Sequence, residues 1–268
     1  MNIPTEPAPP PSRPRKPRFN VTVRRVQPLT PRCVCVTFGG EDLAGFNWSG
    51  PASHVKLFFG TLDVGERTSV SSAGSPLVVR TYTPRRLDPV ARELEVEFVI
   101  HGDAPASAWA RQASVGQSLV IAGPGRSYTV DPAADWYVLA GDDTALPALK
   151  TILEVLPPSM PVLMLIEVVD AAEVQTLPAR AGNTLVQWLY RGENAAHAGR
   201  ELEAAVRTLQ LPSGSGRVYV ACEADAMRRI RRHLLNERGL PRDQLVTRGY
   251  WRLGESDHPD RDYGEDVG

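Results

Sequence analysis

The chain has 268 residues, 42% of them hydrophobic and 23% charged, so it carries enough apolar material for a sizeable core. Its formal net charge of −1 gives no general attraction to nucleic acid or to an anionic membrane, so any basic site has to be local. Three cysteines, Cys33, Cys35 and Cys222, are too few for a disulfide framework or an iron–sulfur cluster, and no metal site is expected. No apolar run approaches the roughly 18 residues of a membrane span, and no signal-like segment is legible, so a cytoplasmic location is expected.

Residues 1–17 are crowded with prolines and include Arg13, Arg15 and Lys16. Proline lacks an amide donor and the stretch has few apolar partners, so a disordered basic arm is expected. Between 18 and 130, six short runs are β-branched or alternating: residues 19–26, 33–38, 54–59, 78–83, 94–101 and 118–122. Clusters of Gly, Pro and Asp separate them, and 106–112 reads as a short helix. The pattern predicts a six-stranded antiparallel β-barrel.

At about residue 131 the pattern changes. Strand-like runs at 136–140, 162–168, 184–190, 218–221 and 246–251 alternate with helical stretches at 144–156, 199–209 and 224–237. In the last of these, Ala224, Met227, Ile230 and Leu234 make one apolar stripe, and Gly239 and Pro241 follow as a stop signal. This alternation predicts an α/β domain over 131–254 with a mostly parallel sheet covered on both faces. Residues 255–268 are acidic and poor in apolar side chains, so a loose tail is expected.

Arg80-Thr81-Tyr82-Thr83 leaves a barrel strand with a fixed cation, an aromatic face and hydroxyls, which are the parts that suit a flavin. Strand alternation puts Arg80 and Tyr82 on one face and Thr81 and Thr83 on the other. Taken alone, four such residues fit an ordinary edge strand equally well. From His101 to Ala110 a strand ends, the chain turns at Gly102, and a helix begins near Ala106. That geometry aims free amides at an anion, and Ser107 adds a hydroxyl; the plain alternative is a capped surface helix. Gly123-Pro124-Gly125-Arg126 leaves the last barrel strand and offers close backbone approach beside a cation. Cys222, after a buried strand, reads as a packing residue. Arg228, Arg229, Arg231 and Arg232 lie mainly off the apolar stripe as a solvated face. Contact with a nucleotide 2′-phosphate is the sharper reading of that helix, with Arg191 as a competing candidate.

In order, these segments are joined by Leu139-Ala140-Gly141-Asp142-Asp143-Thr144-Ala145, by Tyr219-Val220-Ala221-Cys222-Glu223-Ala224 and by Arg248-Gly249-Tyr250-Trp251-Arg252-Leu253-Gly254. Together they resemble the siderophore-interacting protein family, FAD-dependent ferric-siderophore reductases of the ferredoxin-reductase-like superfamily. The resemblance covers about residues 18–254. It implies a barrel that binds FAD through Arg80, Thr81, Tyr82, Thr83, His101, Ala106 and Ser107, with Thr144 beside the flavin. It implies an α/β domain that takes NADPH or NADH through Gly141, Asp143, Ala145, Arg191, Cys222 and Glu223. It further implies that Lys56, Arg126 and Arg252 converge to hold an anionic ferric siderophore. The supply of arginines favours NADPH slightly, ferredoxin is an alternative donor, and a monomer is expected. Two other readings keep the same architecture: a reductase of free flavin or a redox protein, and a non-catalytic siderophore carrier.

Overall fold

The computed structural model describes residues 16–60, 77–102, 104–180, 183–255, 258–259 and 262–264. Nearly all of the arm expected over 1–17 lies outside the described residues. The first half builds β1 (Arg18–Thr30), β2 (Cys33–Gly39), β3 (Val55–Phe59), β4 (Val78–Tyr82), β5 (Pro84–Asp88), β6 (Glu93–Val99), helix α1 (Pro105–Gln112) and β7 (Ser118–Ala122). These strands form one antiparallel sheet in the order β4-β3-β7-β1-β2-β6-β5.

The sheet has seven strands where the sequence predicts six. The additional one is β5, which opens on Pro84 and carries Arg85 and Arg86 in place of an apolar alternation. An edge position explains both features, because a proline there need not donate to the ladder. The two edge strands are consecutive in the chain and are joined by Thr83 alone. Tyr82 pairs with Val55 at one edge and Pro84 with Val96 at the other, so the sheet curls until its edges meet. Helix α1 plugs the interior, where Trp109 lies nearly parallel to Phe38 at 6.1 Å and packs against Phe59 and Phe98.

The second half alternates β8 (Trp136–Asp142), α2 (Leu146–Val155), β9 (Val162–Val168), β10 (Thr184–Tyr190), α3 (Arg200–Thr208), β11 (Gly216–Glu223), α4 (Ala224–Arg232) and β12 (Leu245–Trp251). The strands run parallel in the order β10-β9-β8-β11-β12. Leu146, Leu149, Ile152 and Leu153 of α2 cover one face, while Leu202 and Val206 of α3 and Met227 and Ile230 of α4 cover the other. The chain enters at β8, moves outward to β10, and returns on the other side as β11. That reversal places a crevice beyond the carboxyl ends of β8 and β11. Among the described residues, no helix is long and apolar enough to cross a membrane.

Part of the expected loose tail is tied down. The carbonyl of Asp262 accepts from Gly249 N at 2.8 Å, and that of Tyr263 accepts from the Thr247 hydroxyl. The Asp262 carboxylate also meets Arg228 at 2.6 Å and His258 at 2.8 Å. These residues lie along the outer edge of β12, whose backbone groups need partners that composition alone does not reveal.

A chain of four alternating charges joins the two sheets. Lys150 Nζ on α2 donates to both oxygens of Glu97 on β6, at 3.1 and 3.0 Å. Arg85 Nε on β5 approaches Glu97 at 3.5 Å, and its two terminal nitrogens bond Glu154 on α2 at 3.0 and 2.7 Å. Glu97 and Lys150 are only 7% and 4% exposed. Removing one member strands a buried charge, so Glu97→Leu should cost about 3–5 kcal/mol, whereas Glu97→Leu/Lys150→Leu should recover most of that loss. Urea unfolding of the two variants checks both expectations.

Candidate functional site

Asp142 ends β8 at the mouth of the crevice and is 2% exposed. Its carboxylate accepts from four donors. Oδ1 takes the Thr144 amide at 3.1 Å and the Thr144 hydroxyl at 2.6 Å; Oδ2 takes Glu223 N at 3.1 Å and Trp251 Nε1 at 2.8 Å. One side chain thereby ties together the start of α2, the end of β11 and the end of β12. Burial pushes the Asp142 carboxyl up from its usual range, and the bonds from Thr144 and Trp251 oppose that shift. The neighbouring Asp143 is pushed up by burial as well, against the pull of Arg191, whose guanidinium pairs with it at 2.7 Å.

The barrel meets this crevice through two contacts. The His101 ring stacks on Trp251 with centroids 6.3 Å apart and planes 27° off parallel. Thr83, buried at the barrel seam, lies beside Tyr250, whose hydroxyl lies 3.3 Å from that of Tyr219. Two of the barrel residues expected at a flavin therefore touch the Gly-Tyr-Trp segment of the α/β domain.

Alternation holds only partly along β4 and its exit: Thr81 is exposed, Arg80 and Tyr82 are half-buried, and Thr83 is buried. The Tyr82 ring is turned into the barrel, 4.5 Å from Phe98 between ring centroids, so it lends less of its face to a ligand than expected. Arg80 donates to the carbonyl of Val79 at 2.8 Å. Helix α1 begins after Ala104 without a side-chain cap and has Pro105 in its first turn. Proline has no amide, so the amides of Ala106 and Ser107 are the orphan donors of that first turn. The Ser107 hydroxyl accepts from His101 N at 3.3 Å.

Three residues implied for the nicotinamide are closely packed at the strand ends. A Cβ on Gly141 would meet the Ala221 carbonyl at 2.6 Å, so glycine there lets β8 lie against β11 and α2. Ala145 and Cys222 are fully buried in the two cores that flank the sheet. Burial, with Asp142 and Glu167 adding to it, pushes the Cys222 thiol well above its usual range. Glu223 caps α4 by accepting from Ala226 N at 2.9 Å. Glu167, fully buried on β9, does the same for α3 by accepting from Gly199 N at 2.7 Å and Leu202 N at 3.1 Å.

The three expected siderophore cations stand on different elements, and Arg252 has carboxylate partners of its own. Lys56 on β3 pairs with Ala122, the last residue of β7, and Arg126 is exposed on the loop that follows β7. That loop is pinned beside β3: Gly125 N donates to the His54 carbonyl at 2.6 Å, and a Cβ on Gly125 would strike the His54 ring. Lys56 and Arg126 thus share one end of the barrel. Arg252 instead turns to its own domain, where it meets Asp225 at 3.1 Å and Glu255 at 3.4 Å. Its charge is matched by carboxylates that the sequence reading did not place beside it.

The sequence reading also gave Asp142, Trp251 and the Glu97–Lys150 pair no part in the site. Two acids directly after a fully apolar strand were the available signal for Asp142, because such a strand end opens onto the crevice of a parallel sheet.

Comparison with known proteins agrees with this geometry. Residues 22–128 match the family described as Siderophore-interacting FAD-binding domain, and residues 134–254 match Siderophore-interacting protein. The ferric vibriobactin reductase ViuB of Vibrio cholerae is 32% identical, over 83% of this chain and 84% of its own. An NADPH-dependent ferric-chelate reductase of Escherichia coli is 30% identical, over 86% of this chain and 91% of its own. The crystal structure of a siderophore utilization protein from T. fusca superposes with a TM-score of 0.79 at 38% identity, covering 91% of this chain and 96% of that one. With both halves matched in their proper order, the chain belongs to the siderophore-interacting protein family.

Proposed function

We propose that the protein is an FAD-dependent ferric-siderophore reductase that draws electrons from a reduced nicotinamide. The carrying observation is the contact between the two halves. Thr83 and His101, on the barrel's expected flavin side, meet Tyr250 and Trp251 at the carboxyl edge of the parallel sheet. A donor in the crevice and a flavin on the barrel would therefore be neighbours.

The residues present fit FAD. The uncapped first turn of α1 offers two amides to a pyrophosphate, and Arg80 supplies the fixed cation. The Thr83 hydroxyl, beside Tyr250, would supply a polar contact for a ring edge. When bound, FAD accepts electrons in pairs and releases them singly, which suits a nicotinamide donor and a ferric acceptor. The protein's own tasks are placement and exclusion of water. Asp142 fixes Trp251 against His101, and the Glu97–Lys150 pair holds the two sheets at one angle. Lys56 and Arg126 offer positive charge at one end of the barrel, where an anionic chelate would be attracted. Among the described residues, the site holds no Ser-His-Asp or paired-carboxylate arrangement aimed at a substrate, and electron transfer needs none.

Arg80→Ala should weaken FAD by about tenfold to a hundredfold, the loss of one charge-assisted phosphate contact worth roughly 1.5–3 kcal/mol. Titration of apoprotein with FAD, followed by absorbance, measures this; unchanged affinity in a folded variant would remove Arg80 from the site. Lys56→Ala and Arg126→Ala should each raise KM for an anionic ferric siderophore severalfold without slowing flavin reduction, and the effect should fade with added salt. Steady-state kinetics at low and high ionic strength check both variants.

A further inference from the structure

The two sheets present four edges among the described residues, and three of them are closed off. In the barrel, β4 and β5 curl until they meet at Thr83, and β5 carries Pro84, Arg85 and Arg86. In the α/β sheet, Asp262 and Tyr263 lie along β12 and accept from Gly249 N and the Thr247 hydroxyl. The fourth edge is β10, which has none of these devices. It pairs with β9 over seven consecutive residues without a bulge, and Thr-Leu-Val-Gln-Trp-Leu-Tyr holds neither a charge nor a proline. Leu185 is 72% exposed, Tyr190 52% and Val186 38%. Charges, prolines, bulges and covering segments are what keep a sheet edge from pairing with another chain. Among the described residues, nothing bonds the outer side of β10.

The backbone of β10 is laid out for one particular pairing. The Asn183 carbonyl accepts from Val162 N, and Arg191 N donates to the Val168 carbonyl, both toward β9. Backbone groups alternate in direction along a strand, so those of Leu185, Gln187 and Leu189 face β9 as well. The N–H and C=O groups of Thr184, Val186, Trp188 and Tyr190 therefore face outward. A closed pair of identical edges is two-fold symmetric, which sets the two strands antiparallel. With the axis at Gln187, Val186 faces Trp188 of the second copy and Thr184 faces its Tyr190, each pair exchanging two hydrogen bonds. An axis one residue away leaves Thr184 or Tyr190 without a partner in the strand.

Side chains agree with that register. On the face that packs against α2, each opposition sets a β-branched residue against an aromatic one, Val186 to Trp188 and Thr184 to Tyr190. On the face toward α3, Leu185 meets Leu189, and the two Gln187 side chains meet at the axis as neutral amides. Seven residues span about 23 Å, and side chains on both faces make the contact about 20 Å deep, so it buries on the order of 1,000 Å² in total. That is about the least a stable interface needs, and it suits a dimer that dissociates at roughly micromolar concentration.

We infer that a second copy of this chain docks on β10, pairing antiparallel about Gln187 and joining the two parallel sheets into one. This replaces the monomer expected from the sequence, and it does not depend on the reductase reading. β10 lies two strands from β8, so each crevice stays within its own protomer.

Sedimentation equilibrium of the full chain over about 1–100 µM should show a monomer–dimer equilibrium. Gln187 is exposed, so Gln187→Lys should leave the melting temperature unchanged. At low salt it should weaken the dimer about tenfold or more, because it sets two ammonium groups opposite each other. Cross-linking reads the register, since opposed residues of a non-hydrogen-bonded pair have Cα atoms about 4.5 Å apart, within disulfide range. Gln187→Cys should form an intermolecular disulfide under mild oxidation, and Val186→Cys, which faces Trp188, should not. Native thiols add little background, because Cys33 and Cys222 are buried and burial pushes Cys35 up to about 12. A monomer throughout that range, a dimer that Gln187→Lys leaves intact, or equal cross-linking of the two cysteine variants would overturn the inference. Assembly beyond the dimer, or a different protein that co-purifies and is released by Gln187→Lys, would overturn it as well.

Discussion

Lys150 and Glu154 stand one turn apart on the same face of α2, and both reach across to the barrel, where Glu97 and Arg85 receive them. Each sheet has its own apolar core, and neither core dictates how the other should lie. The alternating chain does, because an ion pair taken out of water is tolerated only at short distance and good geometry. Its net contribution to stability is small, since well-packed apolar residues of similar volume often serve as well. Its contribution to orientation is large: sliding α2 by one residue along β5 and β6 would leave two buried charges unmatched. Transfer between a donor in the crevice and a flavin on the barrel depends on that fixed relation.

Asp142 performs the corresponding task inside the α/β domain. Carboxylates at such depth normally face an arginine or lysine, but here the cation of the cluster goes to Asp143. Asp142 is solvated by amides, a hydroxyl and an indole, four neutral donors from three elements. That arrangement keeps the ends of β8, β11 and β12 in register where the ladder itself is irregular, between Cys222 and Glu223. Trp251 is held edge-on to the carboxylate and face-on to His101, so the crevice and the barrel share one rigid wall.

Much of the architecture is legible in the sequence because period and punctuation carry it. The change from short alternating runs to strands spaced by helices marks the passage from barrel to α/β domain. β5 escapes because an edge strand needs no apolar alternation, and Pro84, Arg85 and Arg86 resemble a loop. The attached part of the tail escapes because it is held by two backbone carbonyls, which have no sequence signature, and by an Asp262 carboxylate whose partner Arg228 is distant in the chain. Within the site, motif resemblance names segments but not the surroundings of each side chain. Thr83 and Ser107 are buried polar residues of the barrel half, whereas Gly141, Ala145 and Cys222 are packed where the strands of the α/β sheet end. Cations mislead most, since Arg229 and Arg252 look available until the carboxylates of other elements are in place beside them.

The attachment of residues 258–259 and 262–264 beside β12 bears on how the chain is made. A ribosome delivers the barrel first, and its last strand is complete by Ala122, well before α2 emerges. During that interval Glu97 has Arg85 within 3.5 Å on the neighbouring strand, so the barrel carries a provisional counter-charge until Lys150 arrives. The α/β sheet has no such early refuge. Its final strand pairs with β11 on one side, and the acceptors for Gly249 and Thr247 on the other, Asp262 and Tyr263, follow it in the chain. Nascent chains stalled short of Asp262 would therefore display a bare strand edge beside a finished barrel, a species open to pairing with its neighbours on a polysome.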